Sequence, residues 1–110
     1  MTGPARRQQS CVWCGREVAD VGVGRRRRYC KQSCRQRAYE QRSAVKGTTI
    51  AADSTILTAA EAEAAMDRMF EVRCAAEDVA TAVTEGAEPA EIAELCASLV
   101  RLARDAERLR

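Results

Sequence analysis

The stretch Cys11-Val12-Trp13-Cys14-Gly15, followed after fourteen residues by Cys30-Lys31-Gln32-Ser33-Cys34, has the spacing C-x2-C-x15-C-x3-C. Two close cysteine pairs separated by a short insert form a zinc-site pattern. Zinc takes four soft ligands in a tetrahedron, and a structural site fills all four positions. A pair two or three residues apart lets one tight turn aim two sulfurs at one ion. The insert is long enough to bring the second pair back. The chain contains no histidine, so Cys11, Cys14, Cys30 and Cys34 are the predicted ligands of one Zn(2+) ion. A pair of disulfides, incidental thiols or an iron–sulfur cluster are the competing readings of the same four residues.

Around these cysteines the chain carries almost no aliphatic side chains. A unit this small cannot bury enough apolar surface to fold unaided, so metal binding is expected to supply most of its folding energy. Gly15, just after the second cysteine, suits a left-handed backbone. Trp13 is read as cover for the small core. Residues 16–29 are predicted to be a hairpin, with Val18, Val21 and Val23 in its strands and Gly22 and Gly24 at its turn. Its return limb is Arg25-Arg26-Arg27-Arg28-Tyr29.

From Cys30 to about Val45 the sequence predicts a helix. Arg35, Tyr39 and Arg42 recur at helical spacing on one face; Cys34, Ala38 and Gln41 share another, directed at the metal. The four successive arginines suit phosphate contact, because guanidinium groups grip phosphate bidentately. They also suit charge balance, since four thiolates on one zinc carry a net charge of −2. Arg25, Arg26, Arg27, Arg28, Arg35, Gln36, Tyr39 and Arg42 are the candidate nucleic-acid-binding residues.

Charge divides the chain in the same place. Residues 1–46 hold twelve Arg or Lys against three acids, a net of +9; residues 47–110 hold six Arg against thirteen acids, a net of −7; the sum is the overall +2. A basic end joined to an acidic end fits a polyanion-binding unit attached to a partner-binding unit. Residues 1–10 are predicted to be a disordered basic arm, residues 11–46 the four-cysteine zinc finger, and residues 47–56 a flexible linker.

From Thr58 the composition turns to Ala, Glu, Val and Leu. Thr58-Ala59-Ala60-Glu61 fits a capping box, and the helix it opens should end at Gly86. The predicted inward positions are Ala62, Ala65, Met69, Val72, Ala76, Val79 and Val83, a heptad seam. Pro89 suits the first turn of a second helix, whose seam is Ile92, Leu95, Leu99, Leu102, Ala106 and Leu109. Two such helices joined by a short turn predict an antiparallel coiled-coil hairpin over residues 57–110. Met66, Phe70, Cys96, Val100 and Ala103 fall off these seams, which points to a homodimer or a protein partner on the hairpin. Cys96 is read as an apolar filler and Cys74 as an exposed thiol, neither of them a ligand.

The run YCKQSCRQRAYEQR resembles the YC-x3-CRQRAY segment of small treble-clef zinc-finger proteins of actinobacteria and their phages, which are taken to bind DNA. The ligand spacing is also similar to that of the small bacterial zinc-finger proteins that inhibit DNA gyrase. Both resemblances cover only residues 11–42, and the second rests on spacing and Gly15. A treble clef implies a zinc knuckle, a hairpin and a helix. The expected fold is therefore a small α+β, treble-clef-like finger with four cysteine ligands, followed by an antiparallel helical hairpin.

The expected function is zinc-dependent nucleic-acid binding, DNA in the first place, in a small bacterial regulator of transcription. The alternative is a protein-binding adaptor or inhibitor whose zinc is purely structural. Enzyme chemistry is not expected. The commonest general base is missing, four cysteine ligands leave zinc no open position, and no nucleophile or phosphate-loop motif occurs. No signal segment or long apolar run is present. A reducing cytoplasm, where close cysteine pairs favour metal over disulfide, is the expected location, without a membrane partner.

Overall fold

The computed structural model describes residues 9–19 and 27–110. The basic arm up to residue 8 and the centre of the expected hairpin, with Val21, Gly22, Val23, Gly24, Arg25 and Arg26, lie outside these residues. The order of elements is α1 (Gln32–Val45), α2 (Ala59–Thr84) and α3 (Pro89–Ala106). The chain divides into two compact units between Ile56 and Leu57.

The first unit is not the α+β treble clef that the sequence suggests. Among the described residues there is no strand, and the one trace of β pairing is an isolated antiparallel bridge between Ser10 and Glu17. The backbone around the first cysteine pair closes local loops instead of building a ladder. Cys11 N–H donates to Arg16 O at 2.7 Å, and Val18 N–H to Gln9 O at 2.9 Å. Val12 N–H donates to Arg28 O at 2.8 Å and ties this loop to the chain leading into the second pair. Arg27 and Arg28 are exposed, and adjacent like charges with no apolar face give a strand nothing to bury. Val18, expected in a strand, is instead buried beside Cys11, Cys14 and Cys34.

Helix α1 buries Cys34, Ala38 and Val45, and Gln41 on the same side is half-buried. The steps of four, three and four keep these residues on one face. Residues 47–56 turn back on this helix: Gln41 Nε2 donates to Ser54 O at 3.0 Å, and Thr48 N–H to Val45 O at 3.0 Å.

The second unit is a helical hairpin in which α2 and α3 pack together. Thr58 opens α2 with a full capping box: its Oγ1 accepts from Glu61 N–H at 3.0 Å, and Glu61 Oε1 accepts from Thr58 N–H at 2.9 Å. Gly86, at φ 69°, ends it. Ala87 N–H reaches Ala82 O at 2.9 Å and Gly86 N–H reaches Val83 O at 3.2 Å, a pair of bonds that requires this left-handed residue. Pro89 occupies the first turn of α3. The end of α3 returns to the start of α2, where Arg110 Nη1 lies 3.5 Å from Glu61 Oε1, so the helices run antiparallel.

On α3 the expected seam of Ile92, Leu95, Leu99, Leu102, Ala106 and Leu109 is half-buried throughout. On α2 the register differs. Ala62, Ala65, Val72 and Val79 turn inward as expected, but Met69, Ala76 and Val83 are exposed, and Arg68, Ala75 and Ala82 take the inward positions. The inward turn of Arg68 goes with its bonding: only 8% exposed, it donates to Arg108 O at 3.0 Å and Leu109 O at 3.4 Å, in the tail that follows the last residue of α3, Ala106. A guanidinium there also opposes the negative end of the helix dipole. The two remaining cysteines reverse their expected roles, since Cys74 is half-buried and Cys96 exposed, and both are free thiols.

Candidate metal centre

Four sulfurs converge in the first unit. The Sγ atoms of Cys11, Cys14, Cys30 and Cys34 all lie within 4.8 Å of one another, a set able to hold a metal ion. Cys14 Sγ is 3.5 Å from Cys30 Sγ, and Cys30 Sγ is 3.7 Å from Cys34 Sγ. A tetrahedron with zinc–sulfur bonds of ~2.3 Å has edges of about 3.8 Å, so these spacings fit a single ion.

Each ligand is placed by a local device. Gly15 at φ 82° turns the chain back after Cys14, and its N–H donates to Cys11 O at 2.9 Å. The Arg28–Val12 bond brings Tyr29 and Cys30 against this turn. Cys34 sits in the first turn of α1, where the inward face of the helix presents it. Cys11, Cys14 and Cys34 are buried and Cys30 is half-buried. Val18 plugs the interior, while Trp13 and Tyr29 pack against the cluster from its edge. The sequence assigned Trp13 to cover; it missed Val18 and Tyr29 as parts of the same shell. Tyr29 is signalled only by its place beside Cys30.

The thiols influence one another. Burial pushes the Cys11 thiol up, but the backbone N–H groups of Cys14, Cys30 and Trp13 outweigh it and leave the thiol at about 6, below its ordinary 9.0. Burial pushes the Cys34 thiol up to about 12, helped by its contact with Cys30 and the charge of Cys11. Burial also raises Cys30, with the contact to Cys14 adding to it. One thiolate, favoured by backbone donors, thus suppresses ionisation of its neighbours. A divalent cation reverses that order, because it stabilises every thiolate at once.

The candidate nucleic-acid residues fall into three groups. Arg25 and Arg26 lie outside the described residues. Arg27 and Arg28 are exposed beside the cluster, and Arg27 Nη2 donates to Cys30 O at 3.3 Å, which serves charge balance as well as it serves an external anion. Arg35, Tyr39 and Arg42 are exposed together on the outward face of α1. Arg42 Nη1 also donates to the hydroxyl of Tyr29 at 3.2 Å, so this helix face is braced against the metal shell. Gln36 is engaged by Glu40, at 3.3 Å from Nε2 to Oε1.

No described helix is long and apolar enough to cross a membrane. The sequence matches no family model, no curated protein and no solved structure.

Proposed function

We propose that Cys11, Cys14, Cys30 and Cys34 hold one zinc ion, and that the unit they shape binds nucleic acid, DNA in the first place, in a regulatory role. The observation that carries this reading is the coupling of two features on one helix. The inward face of α1 delivers Cys34 to the sulfur cluster, and its outward face presents Arg35, Tyr39 and Arg42 to solvent. Zinc is then a folding element that fixes the direction of a basic face. Arg27 and Arg28 add exposed cations beside the sulfur cluster, and the net charge of +9 over residues 1–46 draws in a polyanion. The resemblance of YCKQSCRQRAYEQR to small actinobacterial and phage zinc-finger proteins supports the same reading.

The test is a titration of zinc-loaded protein with duplex DNA and with RNA at two salt concentrations. Phosphate contacts release counterions, so five of them predict a loss of roughly 10²- to 10³-fold in affinity between about 50 and about 200 mM salt. Absence of binding at the lower salt would defeat the reading. A protein partner pulled down through the hairpin and retained at the higher salt would favour the second reading, a protein-binding adaptor with purely structural zinc. That reading is favoured by the exposed apolar side chains of the hairpin.

A further inference from the structure

The hairpin leaves one of its two flanks apolar. With the observed seam on α2 (residues 65, 68, 72, 75, 79 and 82), Met69, Ala76 and Val83 border that seam on one side, and Met66 and Ala80 lie just outside them. On α3, Cys96 and Ala103 border the seam and Val100 lies outside. In an antiparallel pair these two borders fall on the same flank, because heptad positions that follow the inward residue meet each other. The opposite flank carries Glu71 and Asp78 from α2 with Glu91 and Asp105 from α3, all exposed. Met66 is 71% exposed, Met69 65%, Phe70 55% and Val83 58%. Met66, Met69 and Val83 on this flank, with Phe70 one turn on from Met66 at its outer edge, exceed the scattered exposure usual for a solvated surface.

The stripe on α2 is also graded. Bulky Met66, Met69 and Phe70 occupy its first half, and small Ala76 and Ala80 most of its second. Between the halves stand Arg73 and Glu77, whose side chains are 66% and 69% exposed and whose charged atoms are 3.8 Å apart. A stripe graded this way matches itself when the second strand of the pair runs in the opposite direction. Centred near residue 75, such a pairing sets Phe70 against Ala80 of the second copy and Met66 against Val83 of the second copy. It sets Arg73 beside Glu77 of the second copy, twice by symmetry, so charge complements charge at the middle. Large against small is how apolar layers interdigitate. The flank from 66 to 83 is about 25 Å long and roughly 20 Å across two helices, enough for about 1,000 Å² of total burial, the threshold for a specific interface.

We propose that this flank is the contact surface for a second copy of the chain, with α2 packed antiparallel on α2 of the other copy to close a four-helix bundle. The surface belongs to the hairpin alone and holds whether or not the four-cysteine unit binds nucleic acid. The assembly would then carry two such units, one per chain.

Sedimentation velocity of the full chain, from about 5 to about 200 μM, reads the assembly directly. The expected species has twice the 12.1 kDa of one chain. Phe70→Glu should raise the dimer dissociation constant by at least about 30-fold, with helix content by circular dichroism unchanged, because Phe70 is solvated in the single copy. Arg73→Glu alone and Glu77→Arg alone should each weaken the dimer, and the two together should restore it. A 12.1 kDa species across the whole range overturns the proposal and leaves the flank to a different protein. A dimer indifferent to Phe70→Glu overturns the assigned surface, and a double charge swap that does not recover overturns the antiparallel register.

Discussion

The two units of this chain reach stability by opposite routes. In the first, the buried interior is Cys11, Cys14, Cys34 and Val18 with a few partly covered neighbours; three of those four are cysteines of a cluster able to hold an ion. In the second, the interior is a seam of Leu, Val, Ile and Ala between two helices, with Arg68 buried among them. The first unit spends sequence on a sulfur cluster able to hold a metal and leaves its exposed charged side chains mostly cationic. The second leaves its surface acidic on one flank and apolar on the other. The lesson is that where aliphatic side chains are too few, ligand atoms take over the work of a core, and the structure becomes conditional on what they bind.

The largest effect that could break this contrast is loss of a ligand. Cys14→Ser or Cys34→Ser should abolish ordered structure in the first unit, since structural zinc contributes ~10–16 kcal/mol of apparent binding energy in comparable small fingers. α2 and α3 should keep their helicity, which heteronuclear NMR of the two regions would record. Acidification comes next. At neutral pH, metal binding must expel protons from Cys30 and Cys34, whose thiols are raised, whereas Cys11 at about 6 is already ionised. Affinity for zinc should therefore fall as pH falls, by at least about 100-fold per unit for two protons. The slope should steepen below pH 6, where Cys11 takes up its own proton; competition against a zinc-sensitive dye measures both slopes.

Smaller effects sharpen the other side of the comparison. Arg68→Ala should destabilise the hairpin by about 2 kcal/mol, because it removes charge-assisted bonds to Arg108 O and Leu109 O in the tail after α3. Urea unfolding with zinc present would show the loss confined to the second unit. Thr58→Ala should cost the same unit ~1 kcal/mol by removing the cap. The Glu61 carboxyl is held below its ordinary 4.5 by the Thr58 N–H, against some burial and with help from Arg110. Its contribution is thus complete above pH 4.5 and is lost as pH falls through the lowered value.

Some of this was legible from residue order, and some was not, for physical reasons. The four cysteines, the inward Cys34–Ala38–Gln41 face, the Thr58–Glu61 cap and the stop at Gly86 each follow from a local rule, spacing or stereochemistry, that tertiary context did not override. A strand at Val18 did not follow. β propensity at Val18 reflects a shape that packs well against neighbours, and the neighbours here are sulfurs rather than a facing strand. The seam of α2 misled for a different reason. Ranking by hydrophobicity favours Met69 over Arg68, but the unpaired carbonyls at Arg108 and Leu109 needed a donor, and a demand arising forty residues away is invisible in a local pattern. The change of inward positions to Arg68, Ala75 and Ala82 then freed Met69 and Val83 for the outer flank.

The most direct measurement is amide hydrogen exchange on the purified full chain before and after a strong chelator, with the metal content determined in parallel. One zinc per chain is expected, with amides of Gln32–Val45 losing protection on chelation while those of Ala59–Thr84 and Pro89–Ala106 keep theirs. A metal-free protein whose Gln32–Val45 amides stay protected in the chelator would contradict the account.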